Sequence, residues 1–333
     1  MKSSLSILVS STMLAALAAC GGGGGDSSSN PAGNKVTITS ANQNQVVRAS
    51  VNAGLSVSMA QGRAGGASPA SVADRTHALG AVLQRAMTAA QGSRKGVASA
   101  TAHPAVSTSD TMPCGVSGTL TVAVDDHDGN NALSGGDVVS VNFAQCQDST
   151  SSSINGAISI TLTGTPTATQ FTANANFQNV AVVEDGVTST IAGNVTVTEN
   201  DAALDTETTL SVGSSGLTAS TASSAYNDSV SFAAGFLIQT DEATSGASTS
   251  VSMSGTMSAQ SLGGSVTIST PQALVQLSTD NYPSAGQVIV TGATGSAVRA
   301  TVLDNTQVRV ELDANGDGTY ESTATVAWTT LIV

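Results

Sequence analysis

From Pro113 to the end of the chain, apolar residues fall at every second position. Val308, Val310 and Leu312 alternate with Gln307, Arg309 and Glu311, and Leu120, Val122 and Val124 alternate with Thr119, Thr121 and Ala123. A period of two puts alternate side chains on one face of an extended chain, which predicts half-buried strands. The pattern recurs at Val139, Val141 and Phe143, at Ile158, Ile160 and Leu162, and at Val195 and Val197. It appears again at Phe232, Phe236 and Ile238, and at Val326 with Trp328. Asp185-Gly186, Ser214-Ser215-Gly216, Asn227-Asp228 and Asp304-Asn305 punctuate these runs. Such residues tolerate the positive φ of tight turns and read as hairpin signals. Short connections make neighbouring strands antiparallel. The expected fold is mainly β, a long antiparallel meander of roughly a dozen strands or more, because so many short runs follow one another. So wide a sheet cannot stay flat, and it is expected to curl into an open barrel or a two-layer sheet.

Upstream the period lengthens. Ser40 before Ala41-Asn42-Gln43 reads as a helix cap and Gly54 as a stop, predicting a helix over residues 41–53. Val72, Leu79, Val82, Leu83, Met87 and Ala90 share one face of a second predicted helix, with Ser71 as cap and Gly92 as stop. Its polar side carries Arg75 and Arg85. These one or two N-terminal helices are expected to pack on the β body; for the second, a basic membrane-surface role is the alternative.

Charge sharpens the division. Residues 20–95 hold seven basic residues against two acids, whereas from residue 96 onward only Arg299 and Arg309 oppose 21 acids. A net charge of −13 argues against a nucleic-acid partner, since phosphate binding needs a basic surface. The basic part has either the acidic body or anionic lipid as its natural counterpart. No apolar run after residue 19 is long enough for a membrane-spanning helix. One Trp, three Tyr and five Phe are too few for the aromatic girdles of a transmembrane β-barrel.

The N-terminus reads as an export signal: Lys2 is followed by an apolar stretch from Leu5 to Ala19. Its end, Leu17-Ala18-Ala19-Cys20, resembles the lipobox of bacterial lipoproteins. That resemblance implies cleavage before Cys20 and a diacylglycerol on its thiol, with palmitate as a further acyl group. Gly21, rather than Asp, after the cysteine implies sorting to the outer membrane. The resulting division is a lipoprotein signal peptide at 1–19, a Gly/Ser tether at 20–34 and a basic two-helix segment at 35–95, followed by a linker at 96–111 and an acidic β domain at 112–333. The tether composition is that of a flexible spacer. As a whole the chain resembles β-rich proteobacterial lipoproteins, a resemblance that implies no particular activity.

With Cys20 acylated, Cys114 and Cys146 remain as an even pair in an oxidising compartment, and a disulfide between them is expected. Residues 126–137 then draw attention. Asp126, Asp128, Asn130, Ser134 and Asp137 stand at positions 1, 3, 5, 9 and 12 of a segment that resembles the EF-hand calcium loop, with the Ala132 carbonyl at position 7. Ca²⁺ takes six to eight hard oxygen ligands, and alternate residues of a tight loop aim theirs inward. Two positions depart from the pattern. Asn131 replaces the turn glycine and Asp137 replaces the longer bidentate Glu, while the flanks read as strands, so the loop is EF-hand-like and sits in a β-hairpin. A second loop, with Asp313, Asn315, Asp317, Thr319 and Glu321, follows the D-x-N-x-D-G pattern but carries Ala324 at the closing position. Calcium is the cofactor both loops suggest; ordinary turn chemistry explains the same residues.

Catalytic signatures are missing from the sequence. The three histidines, His77, His103 and His127, lie on the second predicted helix, in the linker and in the acidic loop, and no nucleophile elbow, zinc-protease motif or phosphate-binding loop occurs. Glu184-Asp185 and Asp241-Glu242 are adjacent acids at strand ends; adjacent strand residues face opposite ways, which disfavours a glycosidase pair. The expected function is non-enzymatic, an outer-membrane-anchored structural or interaction module stabilised by calcium. The alternative is a binder of an apolar, lipid-like ligand, with Leu79, Leu83 and Met87 on a helix that acts as lid or plug. Its partners would then be the membrane, through the lipid anchor, and a protein or apolar ligand.

Overall fold

The computed structural model describes residues 33–58, 107–130, 133–165, 167, 170–184, 187–201, 205–222, 227–243 and 245–331. The second predicted helix, the signal segment, Cys20 and most of the tether and linker lie outside these residues.

Alternation produces strands where it was expected. The first half of the body runs β1 (Ser107–Pro113), β2 (Ser117–Asp125), β3 (Val138–Ser149), β4 (Ser152–Leu162), β5 (Gln170–Glu184), β6 (Val187–Asp201) and β7 (Asp205–Ala222). The second half runs β8 (Asn227–Phe232), β9 (Leu237–Ala243), β10 (Ser248–Ala259), β11 (Gly264–Leu277), β12 (Ala285–Thr291), β13 (Ala297–Val302), β14 (Gln307–Asp313) and β15 (Ser322–Ala327). Helix α1 (Gln43–Ser58) precedes them and a short α2 (Trp328–Leu331) follows. All fifteen strands belong to one antiparallel sheet, and each pairs with its neighbour in the chain except at one place. There β8 and β9 lie end to end between β7 and β10, each pairing with both. β1 begins at Ser107, inside the stretch read as linker.

One face of the sheet is apolar and buried from β2 to β14, while the edge strands β1 and β15 stay outside the core. Val122, Val141, Ile160, Val195, Leu210, Ile238, Val290 and Val310 are all at most 1% exposed and belong to a single hydrophobic cluster. Helix α1 packs against β9, β10, β12 and β13 and reaches α2. Val46, Val47, Ala49, Val51 and Ala53 are buried, so most sides of the helix are covered. Its start differs in detail from the expected cap. Asn42 rather than Ser40 organises the turn, accepting the Thr39 N–H at 2.8 Å and donating to the Thr37 carbonyl at 3.0 Å.

The curl has a visible cause. A row of register breaks crosses neighbouring strands, at Gly118 facing Gln145, Gly156 facing Asn179, Gly193 facing Gly216, and Gly255 facing Phe236. Gln145 and Asn179 take positive φ, 49° and 51°. A bulge bends its strand and increases its twist, so a row of them folds the sheet along a line. Phe143 stands opposite Gly156 and Phe177 opposite Gly193, and both aromatic side chains are buried. Phe232 and Phe236 meet edge to face, 4.8 Å between centroids, where β8 gives way to β9. The run Ser214-Ser215-Gly216, read from sequence as a hairpin turn, is therefore part of the fold line inside β7. Asn227-Asp228 likewise opens β8 instead of turning, whereas Asp304-Asn305 does connect β13 to β14.

Because strand direction alternates, the connections fall on two rims. The first rim carries the β2–β3, β4–β5, β6–β7, β9–β10, β11–β12 and β13–β14 connections, and the second carries the others, apart from the β8–β9 connection, which lies within the sheet.

Candidate functional site

The β2–β3 connection on the first rim is the EF-hand-like loop. Paired flanking strands hold its ends together, Asp125 opposite Val138. Asp126 and Asp137 are buried and Asp128 is exposed, yet one carboxylate oxygen from each lies within 4.8 Å of the others. The backbone folds around these carboxylates. Asp126 accepts the Gly129 N–H at 2.8 Å, and Asp137 accepts the His127 N–H at 2.9 Å and the Ser134 N–H at 2.8 Å. The Asn130 side chain donates to Asp128 at 2.7 Å, and the Ser134 hydroxyl donates to Asp128 at 3.0 Å. The Asn130 backbone N–H, followed by the Ser134 hydroxyl, holds the Asp128 carboxyl below its ordinary range. Ala132 lies outside the described residues. His127 is exposed, its ring beside Gly136, in keeping with an imidazole among turn carboxylates.

The second loop, between β14 and β15, stands on the other rim. It gathers Asp313, Asp317 and Glu321, again with one oxygen each within 4.8 Å. Asp313 is buried and accepts from Gly316 N–H at 2.7 Å and Gly318 N–H at 2.8 Å. Asp317 accepts the Thr319 N–H at 2.7 Å and the Asn315 side-chain amide at 3.1 Å, and these bonds keep its carboxyl low. Glu321 accepts the Ala314 N–H at 3.0 Å, closing the loop from its far end. The side chain at position 9 thus does the closing that Ala324, paired in β15, cannot.

Each triad is a group of hard oxygen donors able to hold a metal ion. Asp241 and Glu242 join no such group. By register Asp241 faces Glu207 and Glu242 faces Thr206, on opposite sides of the sheet. A shallow groove of about 330 Å³ on the first rim is lined by the amides of Gln170 and Asn200, the hydroxyls of Thr172, Thr198 and Thr209, and two carboxylates, Glu199 and Glu207.

Three features escaped the sequence reading. Arg299 donates to Glu311 at 2.9 Å, Arg309 lies 3.3 Å from the same oxygen, and both cations hold the Glu311 carboxyl low, Arg299 chiefly. Arg299 also covers the Tyr320 ring at 3.9 Å, joining this network to the second acidic loop. Buried Asp228 accepts both the N–H and the hydroxyl of Ser261, at 3.0 and 2.6 Å, and so ties the β10–β11 turn to β8. Opposite charges on consecutive strands are a cross-strand signal only once register is known, and the register sets Arg299 opposite Glu311. The disulfide expected between Cys114 and Cys146, by contrast, is formed, with Cα atoms 5.4 Å apart, and fastens the turn after β1 to β3 beside the bulge at Gln145.

The fold and these loops define a class of architecture: a wide, creased antiparallel meander with an acidic hairpin loop on each rim. Comparison with known protein families, with curated proteins and with solved structures gives no match to this chain.

Proposed function

We propose that this chain is an outer-membrane lipoprotein anchored through Cys20, whose β body is a non-enzymatic structural or interaction module that binds Ca²⁺ at its two acidic hairpin loops. The observation that carries the calcium reading is the convergence of three carboxylates within 4.8 Å in each loop. Anions so close repel one another, and a divalent cation removes that repulsion while satisfying its own demand for oxygen. Asp126, Asp128, Asn130, Ser134 and Asp137 would supply the first site, and Asp313, Asn315, Asp317, Glu321 and the Thr319 carbonyl the second. The anchor reading is supported by Leu17-Ala18-Ala19-Cys20 and the Gly/Ser stretch behind it.

The test is a thermal melt of the protein in EDTA and again with millimolar Ca²⁺, alongside Asp128→Ala and Asp317→Ala. Loops of this kind in extracellular modules bind with Kd of about 10⁻⁴–10⁻³ M, so about 5 mM Ca²⁺ should add roughly 1–2 kcal/mol per site. The midpoint should rise by about 2–8 °C per site, and each variant should lose its share. A midpoint indifferent to Ca²⁺ would sink the calcium reading. Incorporation of labelled fatty acid, abolished by Cys20→Ala, tests the anchor separately.

A further inference from the structure

The described chain begins at Gly33, and its first residues are clamped to the second rim. The Gly33 carbonyl accepts the Ser265 hydroxyl at 3.1 Å and the Asn34 carbonyl accepts the Ser265 N–H at 3.2 Å. Val36 then donates its N–H to the Ser265 carbonyl at 3.0 Å and accepts the Ala293 N–H at 2.7 Å. Two glycines make room for this strap. A Cβ on Gly264 would stand 2.4 Å from the Asn34 oxygen, and one on Gly292 would stand 2.1 Å from the Val36 oxygen. Ile38 N–H donates to the buried Ser296 hydroxyl at 3.0 Å, after which α1 carries the chain onto the buried face. The chain that leads back to Cys20 therefore leaves the body between the β10–β11 and β12–β13 turns.

We infer that the protein presents its second rim, with the Asp313–Glu321 loop, to the lipid surface and holds the first rim, with the Asp126 loop, away from it. This inference rests on the reading of Cys20 as the lipid attachment site. Thirteen residues of chain from Cys20 to Gly33 reach at most about 45 Å, whatever their conformation. Strand β10 serves as a ruler for the body. Its 12 residues span at most roughly 40 Å, less where the strand bends at Gly255. Gln260 follows its end on the second rim beside the clamp, and Ser245 precedes its start on the first rim; both are exposed. Because the chain to the anchor departs from the second rim, Gln260 lies beside the point of departure and Ser245 a strand length further from it.

The experiment places a fluorophore at Gln260→Cys or Ser245→Cys in the full, lipidated protein, reconstituted in phosphatidylcholine vesicles that carry nitroxide-labelled headgroups. Quenching at residue 260 should exceed that at residue 245, since residue 260 lies beside the clamp and residue 245 at the opposite end of β10. Equal quenching, or stronger quenching at residue 245, would overturn the orientation. Flotation with the vesicles is read on the same samples, with Cys20→Ala as the control. Protein that fails to float refutes the anchor and the inference with it, whereas protein that floats with equal quenching refutes the orientation alone.

Discussion

Replacing Gly193 by Ala tests the fold line that shapes the whole sheet. Gly193 has φ of +120°, a region closed to residues with a Cβ, and that atom would stand 2.2 Å from the Gly216 oxygen and 2.9 Å from Leu217 Cα. Strained backbone of this kind costs about 1–3 kcal/mol. The overlap adds to it, because relief requires β6 and β7 to separate locally and lose one or two ladder hydrogen bonds of about 1 kcal/mol each. The expected destabilisation is about 3–5 kcal/mol. Gly246→Ala is the matched control: its φ is +67°, but a Cβ there meets nothing within 4 Å, so only the conformational term of about 1 kcal/mol remains. Urea unfolding followed by far-UV circular dichroism reads both, the midpoint shifting at constant slope. The difference between the variants isolates the close approach. If Gly193→Ala unfolds at the same urea concentration as Gly246→Ala, the glycine at the crease serves no packing purpose and the reasoning is wrong.

Two further outcomes are expected. The Cys114–Cys146 bridge closes a loop of 32 residues, so Cys114→Ser with Cys146→Ser should cost about 3–4 kcal/mol in urea, and an unchanged midpoint would show that the unfolded chain is not restrained there. Acid should destabilise the fold in a defined window. Asp128, Asp304, Asp317 and Glu311 are all held below their ordinary values of 3.8 and 4.5, by N–H and hydroxyl donors for the aspartates and by Arg299 for Glu311. Carboxyls whose folded pKa is depressed contribute fully above the unfolded value and lose that contribution as pH falls through the folded one. The urea midpoint in EDTA should therefore be level from pH 7 to about 5 and decline below about 4. A midpoint that rises on acidification would contradict the assigned hydrogen bonds.

What the sequence determined by itself was whatever depends on near neighbours in the chain. Alternation of Val308, Val310 and Leu312 with polar residues is a property of one strand, and it survives in β14 with all three buried. The acidic loops were legible for the same reason: Asp126 to Asp137 and Asp313 to Glu321 each belong to one connection between consecutive strands, so their carboxylates are near neighbours in the chain. The helix from Gln43 was likewise visible from its local pattern, though the residue that organises its start was not. Tertiary structure decided what depends on register. Whether Ser214-Ser215-Gly216 reverses the chain or bends it is fixed by Gly193 on the neighbouring strand, because Leu217 must pair with that glycine while Val212 pairs with Val195. Trp328, aligned with Val326 by period, leaves the strand to start α2 because its indole N–H finds the Pro283 carbonyl at 3.0 Å, and burial without that partner would cost more than the lost pairing. Glu311 lies buried among charges because Arg299 is set directly opposite it across the β13–β14 pair. The chain specifies that it forms strands and where two acidic turns fall; only the pairing of one strand with the next creates the crease, the ion-paired face and the clamp on the N-terminal strap.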